Sequence, residues 1–313
     1  MASTVAEPIL GGMVACRPEP ISYQPDSVAG FTLMSDLHIG APHIDYPLIN
    51  RELEKAKAKG DRVLINGDVF DMILLGDKKR FRGDVLHPRL QGRNNVVTAA
   101  VQWGAEILAP YADMIDMIGV GNHETAVERF HSVDPIELLL YELEKALPAN
   151  AKHVIHHGGY CGFVDYRFRY RGAGGKNKSD DSTGGKRWVI YYHHGGGASA
   201  PVTKGMIDFS RKDVFIDADL LWLGHKHNRW NAHVCKISCP LVGDDVLVRD
   251  VRHIMTGAYQ KTYVGQSQKS IRKDGRRSNY AADAGLAPQG MGGARVEIHF
   301  RVPAKPFEVT VTQ

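Results

Sequence analysis

The chain is 313 residues long, 43% hydrophobic and 24% charged, with a formal net charge of +4. That is enough apolar content for a sizeable core, in one large domain or two, and too mild a charge to define a polyanion-binding protein by itself. No apolar run approaches the ~20 residues of a membrane-spanning helix, residues 1–30 lack the basic start and apolar block of a signal peptide, and four cysteines without framework spacing point to a reducing, cytoplasmic setting.

Residues 1–30 show no strong pattern and read as an N-terminal extension. Gly30–Met34 is then a short apolar run that ends at Ser35-Asp36-Leu37-His38. Tyr46 to Lys59 carries Leu48, Ile49, Leu53 and Ala56 among charges, a helix with Gly60 as its stop. Arg62–Asn66 is a second strand-like run and ends at Gly67-Asp68-Val69-Phe70-Asp71. A second helix is predicted from Asn94 to Leu108, where Val97, Ala100, Val101, Ala105 and Leu108 recur at helical spacing before Pro110. Met114–Ile118 leads to Gly121-Asn122-His123-Glu124. Asp134-Pro135 reads as the N-cap and first-turn proline of a helix through Leu147.

Cys161–Tyr170 and Arg187–Tyr192 predict a hairpin whose long tip, 171–185, is rich in Gly, Ser and Asp. Its second strand ends at His193-His194, and Leu220–Leu223 ends at Gly224-His225-Lys226-His227. Residues 265–293 are again poor in pattern and precede an alternating C-terminal strand, Ala294–Phe300. Short apolar runs bounded by glycine are the signature of buried strands. Strands alternating with helices predict an α/β layer fold, and polar residues at several strand ends converge on one sheet edge, where open α/β folds place their sites.

The five polar motifs at these strand ends, taken in order, resemble those of the calcineurin-like metallophosphoesterase superfamily. The likeness runs from about residue 31 to residue 228. It implies a β-sandwich flanked by helices, with residues 31–313 as one domain, and a centre of two divalent cations. Two such cations repel one another and need a shared anion, which a carboxylate can supply and an imidazole cannot. By resemblance that bridge is Asp68. Asp36, His38 and His227 would complete one metal's shell, and Asn122, His193 and His225 the other's. His194 stands beside His193 and is the alternative; His193 follows the strand directly and is favoured. Imidazoles, carboxylates and one amide suit Mn, Fe or Zn better than Ca or Mg; manganese is the first expectation. The likeness also casts His123 as the non-ligand histidine that protonates the leaving oxygen, and Asp71 as the carboxylate paired with it.

The substrate is less well marked. Protein phosphatases of the superfamily carry Arg-Gly after the equivalent of Asp71, where this chain has Met72-Ile73. Ser35-Asp36-Leu37-His38-Ile39-Gly40 is similar to exonuclease subunits of DNA-repair complexes and to UDP-diacylglucosamine pyrophosphohydrolases. The repair nucleases usually have histidine at the place of Asp71; the pyrophosphohydrolases come closer to Gly67–Asp71 but would want an apolar acyl-binding element. Seven basic residues between 166 and 187 stand against two aspartates, six between 261 and 277 against one, and Lys78, Lys79, Arg80 and Arg82 form a third group. These runs are either solvated surface or a rim for DNA or RNA phosphates. A phosphodiesterase acting on nucleic acid or nucleotide is the leading expectation. A phosphomonoesterase or nucleotide-linked pyrophosphohydrolase, and a non-catalytic scaffold of a replication or repair complex, are the alternatives.

Overall fold

The structure, a computed structural model, describes residues 12–74, 86–171, 186–197, 202–238, 246–261, 289–300 and 308–313. In chain order the strands are β1 (Val14–Cys16), β2 (Ile21–Tyr23), β3 (Ser27–Met34), β4 (Arg62–Ile65), β5 (Ile115–Ile118), β6 (His156–His157), β7 (Cys161–Tyr170), β8 (Lys186–His193), β9 (Leu220–Leu223), β10 (Trp230–Ser238), β11 (Leu247–Met255), β12 (Ala294–Phe300) and β13 (Glu308–Thr312). The helices are α1 (Tyr46–Lys59), α2 (Val96–Leu108), α3 (Asn122–His131), α4 (Pro135–Glu144) and α5 (Met206–Asp213).

These strands form two sheets. One has the order β13-β12-β3-β4-β5-β6, and the other β1-β7-β8-β9-β11-β10 with β2 beside β7. Strands β3 to β6 run parallel, as do β8, β9 and β11. Parallel strands with both faces covered read as unbroken apolar runs, which is why β9 and the Val63–Ile65 stretch of β4 stand out in the sequence, while β5 is interrupted by Asp116. Their side chains divide by parity. Leu64, Leu220 and Trp222 join Phe31, Leu33, Tyr166, Trp188, Ile190 and Tyr192 in the layer between the sheets. Val63 and Ile65 face α1 to α4 in a second apolar layer. Tyr191, Leu221 and Leu223 face Phe209 of α5 in a third. The result is the expected sandwich flanked by helices.

Local chemistry sets the helix ends. Asp45 accepts the Leu48 amide at the start of α1, and Gly60 ends it in the left-handed conformation (φ 67°). Asp134 caps α4 by accepting the amides of Ile136 and Glu137, with Pro135 behind it. Between the sheets, Asp116 of β5 is fully buried, paired with Arg62 and accepting the Tyr166 hydroxyl at 2.7 Å.

Several expectations shift. Residues 12–30 do not trail as an extension: β1 and β2 each pair with β7, and β3 begins at Ser27. The helix expected through Leu147 ends at Glu144, and α3, α5, β10 and β11 were not expected. Cys16, Cys161 and Cys235 are free thiols, Cys16 buried and Cys235 exposed. The loop tips expected at 171–185 and 265–293 lie almost wholly outside the described residues, as do Cys239, Lys78, Lys79, Arg80 and Arg82. Among the described residues, no helix is long and apolar enough to cross a membrane.

Candidate metal centre

The loops after β3 and β4 leave their sheet side by side. Amide donation from Asp36 to the Gly67 carbonyl (3.0 Å), from His38 to Asp68 (3.0 Å) and from Ile39 to Val69 (2.8 Å) carries the parallel pairing past the strand ends. From the second sheet, Gly224 donates to the His194 carbonyl at 3.0 Å, so the loops after β8 and β9 also run together. The two pairs of loops meet directly: His194 Nδ1 lies 2.9 Å from the Asn66 carbonyl, and the His225 amide lies 3.0 Å and 3.1 Å from the two Asp36 carboxylate oxygens. Ends of both sheets therefore converge on one place.

Three groups of chelating atoms form there: Asp36, His38 and His227; His38, Asp68 and His123; and Asp68, His194 and His225. In the first, His38 Nε2 lies 3.2 Å from His227 Nε2, and Asp36 Oδ1 lies 3.4 Å from the latter and 3.9 Å from the former. Ligand atoms about 2.0–2.2 Å from a tetrahedral ion stand roughly 3.3–3.6 Å apart, a range that these three spacings straddle. In the third group, His194 Nε2 lies 3.1 Å from Asp68 Oδ2 and 3.3 Å from Asn122 Oδ1. The same Asp68 oxygen lies 4.0 Å from His38 Nε2. Asp68 is thus the carboxylate common to both sides of the centre.

The structure reverses the choice between the two adjacent histidines. His194, not His193, enters the cluster. Parity explains it: Trp188, Ile190 and Tyr192 point into the sandwich, and His194 continues that alternation just past the strand. His193 falls on the opposite face, its Nδ1 accepting the Gly195 amide at 2.8 Å. Burial and the nearby Lys212 charge push its imidazole down to about 4. The sequence held this signal, because every second residue back from His194 is large and apolar.

Asp71 and His123 do come together. The Asp71 carboxylate lies 3.5 Å from His123 Nδ1 and 3.4 Å from His38 Nδ1, and its main-chain carbonyl makes the shorter contact with His123 Nδ1. Asp71 therefore sits between two imidazoles rather than serving His123 alone.

The backbone here is strained. Nine described non-glycine residues have positive φ, and five of them are Asp36 (54°), His38 (46°), Asp68 (47°), His225 (67°) and His227 (54°). Each such residue costs about 1–3 kcal/mol and persists only where its surroundings over-determine it. Glycines permit the close approach. A Cβ on Gly121 would collide with the Asp68 backbone and carboxylate, and one on Gly195 would stand 2.8 Å from His225 Cβ.

Glu124 supplies much of that over-determination, and no role for it was expected from the sequence. It lies at the third position of α3, where a glutamate can reach back to the capping amide. Its carboxylate accepts from the amides of Gly121 (2.8 Å), Asp68 (3.0 Å) and Phe70 (2.9 Å). Burial, then the Asp68 charge, push it up to about 7.

The electrostatics fit a cation. Asp36 and Asp68 are fully buried, yet among the described residues their ion pairs are all with imidazoles, with no lysine or arginine taking part. Buried charges are normally paired or metal-bound. Burial alone would raise both carboxyls, but neighbouring imidazoles outweigh it: His227 first for Asp36, and His194 first for Asp68, which is held well below the usual carboxylate range. Against its own burial, His194 is drawn up to about 10 by Asp68.

No family model matches the chain, and no curated protein does. Among solved structures it is similar to a conserved uncharacterised protein, a predicted phosphoesterase, from Streptococcus pneumoniae, at 12% identity over 91% of this chain and 99% of that one, with a TM-score of 0.30. It is also similar to a metallophosphoesterase from Sphaerobacter thermophilus (15% identity, 83% and 96% of the two chains, TM-score 0.28). A hypothetical protein from Thermus thermophilus stands at 11%, 91% and 99%, with a TM-score of 0.30.

Proposed function

We propose that the protein is a phosphoester hydrolase that works with two divalent transition metals. One observation carries the reading: the buried Asp68 carboxylate is shared between His38 on one side and His194 on the other. Asp36, His38, His227 and Asp68 would hold one cation; Asp68, Asn122, His194 and His225 would hold the second. The donors suit Mn, Fe or Zn. Bound there, such cations supply Lewis acidity toward phosphoryl oxygens and make water a competent nucleophile near neutral pH.

The remaining work falls to the chain. Nδ1 of His123 faces the Asp71 carbonyl, an acceptor that fixes the proton on that nitrogen and leaves Nε2 to exchange one with the leaving oxygen. His123→Ala is expected to keep both metals while lowering kcat by ~10²–10⁴-fold for a poor leaving group. With nitrophenolate, which needs no proton, the loss shrinks. Equal losses with both leaving groups would mean that His123 acts on phosphoryl charge instead.

A nucleic-acid or nucleotide phosphodiester is the proposed substrate class, and a cytoplasmic setting goes with it. Its support is the basic composition of 166–187 and 261–277. Part of that charge is already engaged: Arg187 Nε lies 2.6 Å from Asp165, and Lys261 Nζ 3.3 Å from Asp45. Residues 262–277 lie outside the described residues. If these runs bind a polymer, affinity for single-stranded DNA falls with salt at a slope of about −0.7 per phosphate neutralised. Neutralising Arg272, Lys273, Arg276 and Arg277 then raises KM for polynucleotide and leaves a small diester unaffected. Identical behaviour of variant and wild type points to a nucleotide or another small ester, including a pyrophosphate.

A further inference from the structure

Lys226 stands between His225 and His227, one from each side of the centre, in a turn tightened by its amide donating to the Gly224 carbonyl at 2.8 Å. Both flanking histidines have left-handed backbones, so this turn does not hold its shape by local preference. The Asp36 carboxylate grips it from one side, through the His225 amide. From the other side Lys226 Nζ is ion-paired with Asp208, in the first turn of α5, and the two side chains are only 9% and 29% exposed.

α5 is itself fixed. Phe209 is buried against Trp230, with ring centroids 4.7 Å apart, and the Trp230 indole donates to the Lys204 carbonyl at 2.9 Å. At its far end Asp213 pairs with Lys236 of β10 at 2.9 Å. Gly205, at φ 86°, brings the start of the helix onto the Lys226 stem, where a Cβ would stand 3.2 Å from Lys226 Cδ.

We infer that the Asp208–Lys226 pair is a positioning device for the metal centre, by which α5 holds the strained 224–227 turn so that His225 and His227 face their carboxylates. The inference rests on the reading of those two histidines as metal ligands. A partner behind a ligand acts on metal affinity, typically by about 10–100-fold. The near-isosteric change Asp208→Asn keeps a polar group and loses the charge; Lys226→Met keeps the stem and removes the ammonium that needs a partner. Both act on the turn without touching a ligand.

The test is competition between metal-free protein and a chromophoric chelator for Zn²⁺ and Mn²⁺, with circular dichroism confirming the fold of each variant. Asp208→Asn and Lys226→Met are each expected to weaken binding by about 10–100-fold, and the double variant no further than either. Lys226→Arg, which preserves the pair, restores most of the affinity. Lys236→Met, which unties the other end of α5, binds as wild type does. Wild-type affinity in Asp208→Asn and Lys226→Met overturns the inference. So does equal weakening in Lys236→Met, because α5 docking as a whole would then be responsible. Failure of the wild type to bind either metal overturns the two-metal reading itself, a separate result.

Discussion

Exchange of Asp68 for asparagine is expected to strip the centre of at least one cation and end hydrolysis. The residue is 1% exposed, and Oδ1 accepts the His123 amide at 2.9 Å while Oδ2 faces His194 and His38. Asparagine can keep the first contact, but its amide nitrogen would then point donors at a place built for shared negative charge. Metal content should fall from about two per chain to one or none. Hydrolysis of bis(p-nitrophenyl) phosphate should fall to the rate of chelated wild type. Adding back Mn, Fe or Zn restores the chelated wild type and not the variant. Hydrolysis that survives chelation, or an Asp68→Asn protein with full metal content and activity, would sink the two-metal mechanism.

The second large effect is on stability. Glu124→Ala leaves the buried amides of Gly121, Asp68 and Phe70 without their acceptor. Each orphaned donor costs about 1–3 kcal/mol, so metal-free protein should lose on the order of 3–9 kcal/mol in urea unfolding. Glu124→Gln should cost less, because one carbonyl oxygen can still accept the two amides that share Oε2, while its –NH₂ faces the Phe70 donor. A Glu124→Ala protein within about 1 kcal/mol of wild type, the net worth of one ordinary hydrogen bond, would show that the loop after β4 holds without it.

What the sequence made visible follows from how much of each element is buried. β4, β5 and β9 are covered on both faces and read as short, mostly apolar runs that lead into ligands, with Asp116 the one polar residue inside β5. Asp36, His38, Asp68, Asn122, His225 and His227 could be picked out because the motifs that follow such runs resemble, in their order, those of a known family. β1 and β2 are three residues each and carry no periodic signal. In β10, exposed His233, Val234, Cys235 and Ile237 break the alternation that would mark one buried face. The choice of His193 over His194 counted residues from the strand end without extending the pleat inward from Trp188. Glu124 was invisible for another reason: beyond its capping contact with Gly121, its partners Asp68 and Phe70 are more than fifty residues away in sequence. No local pattern encodes a hydrogen bond that folding alone creates.

The centre draws on both sheets: Asp36, His38, Asp68 and Asn122 follow strands of one, His194 and His225 follow strands of the other. Cations bound between them would act as rivets at one end of the sandwich. Pulling the sheets apart then means releasing metal, so free metal at a hundred times its dissociation constant adds about 2.7 kcal/mol per site to the stability of the fold. Substitutions in the layer between the sheets, far from any ligand, would be tolerated in metal-replete conditions and become conspicuous under metal starvation. For this chain, metal supply would govern how long the protein lasts as well as how fast it turns over.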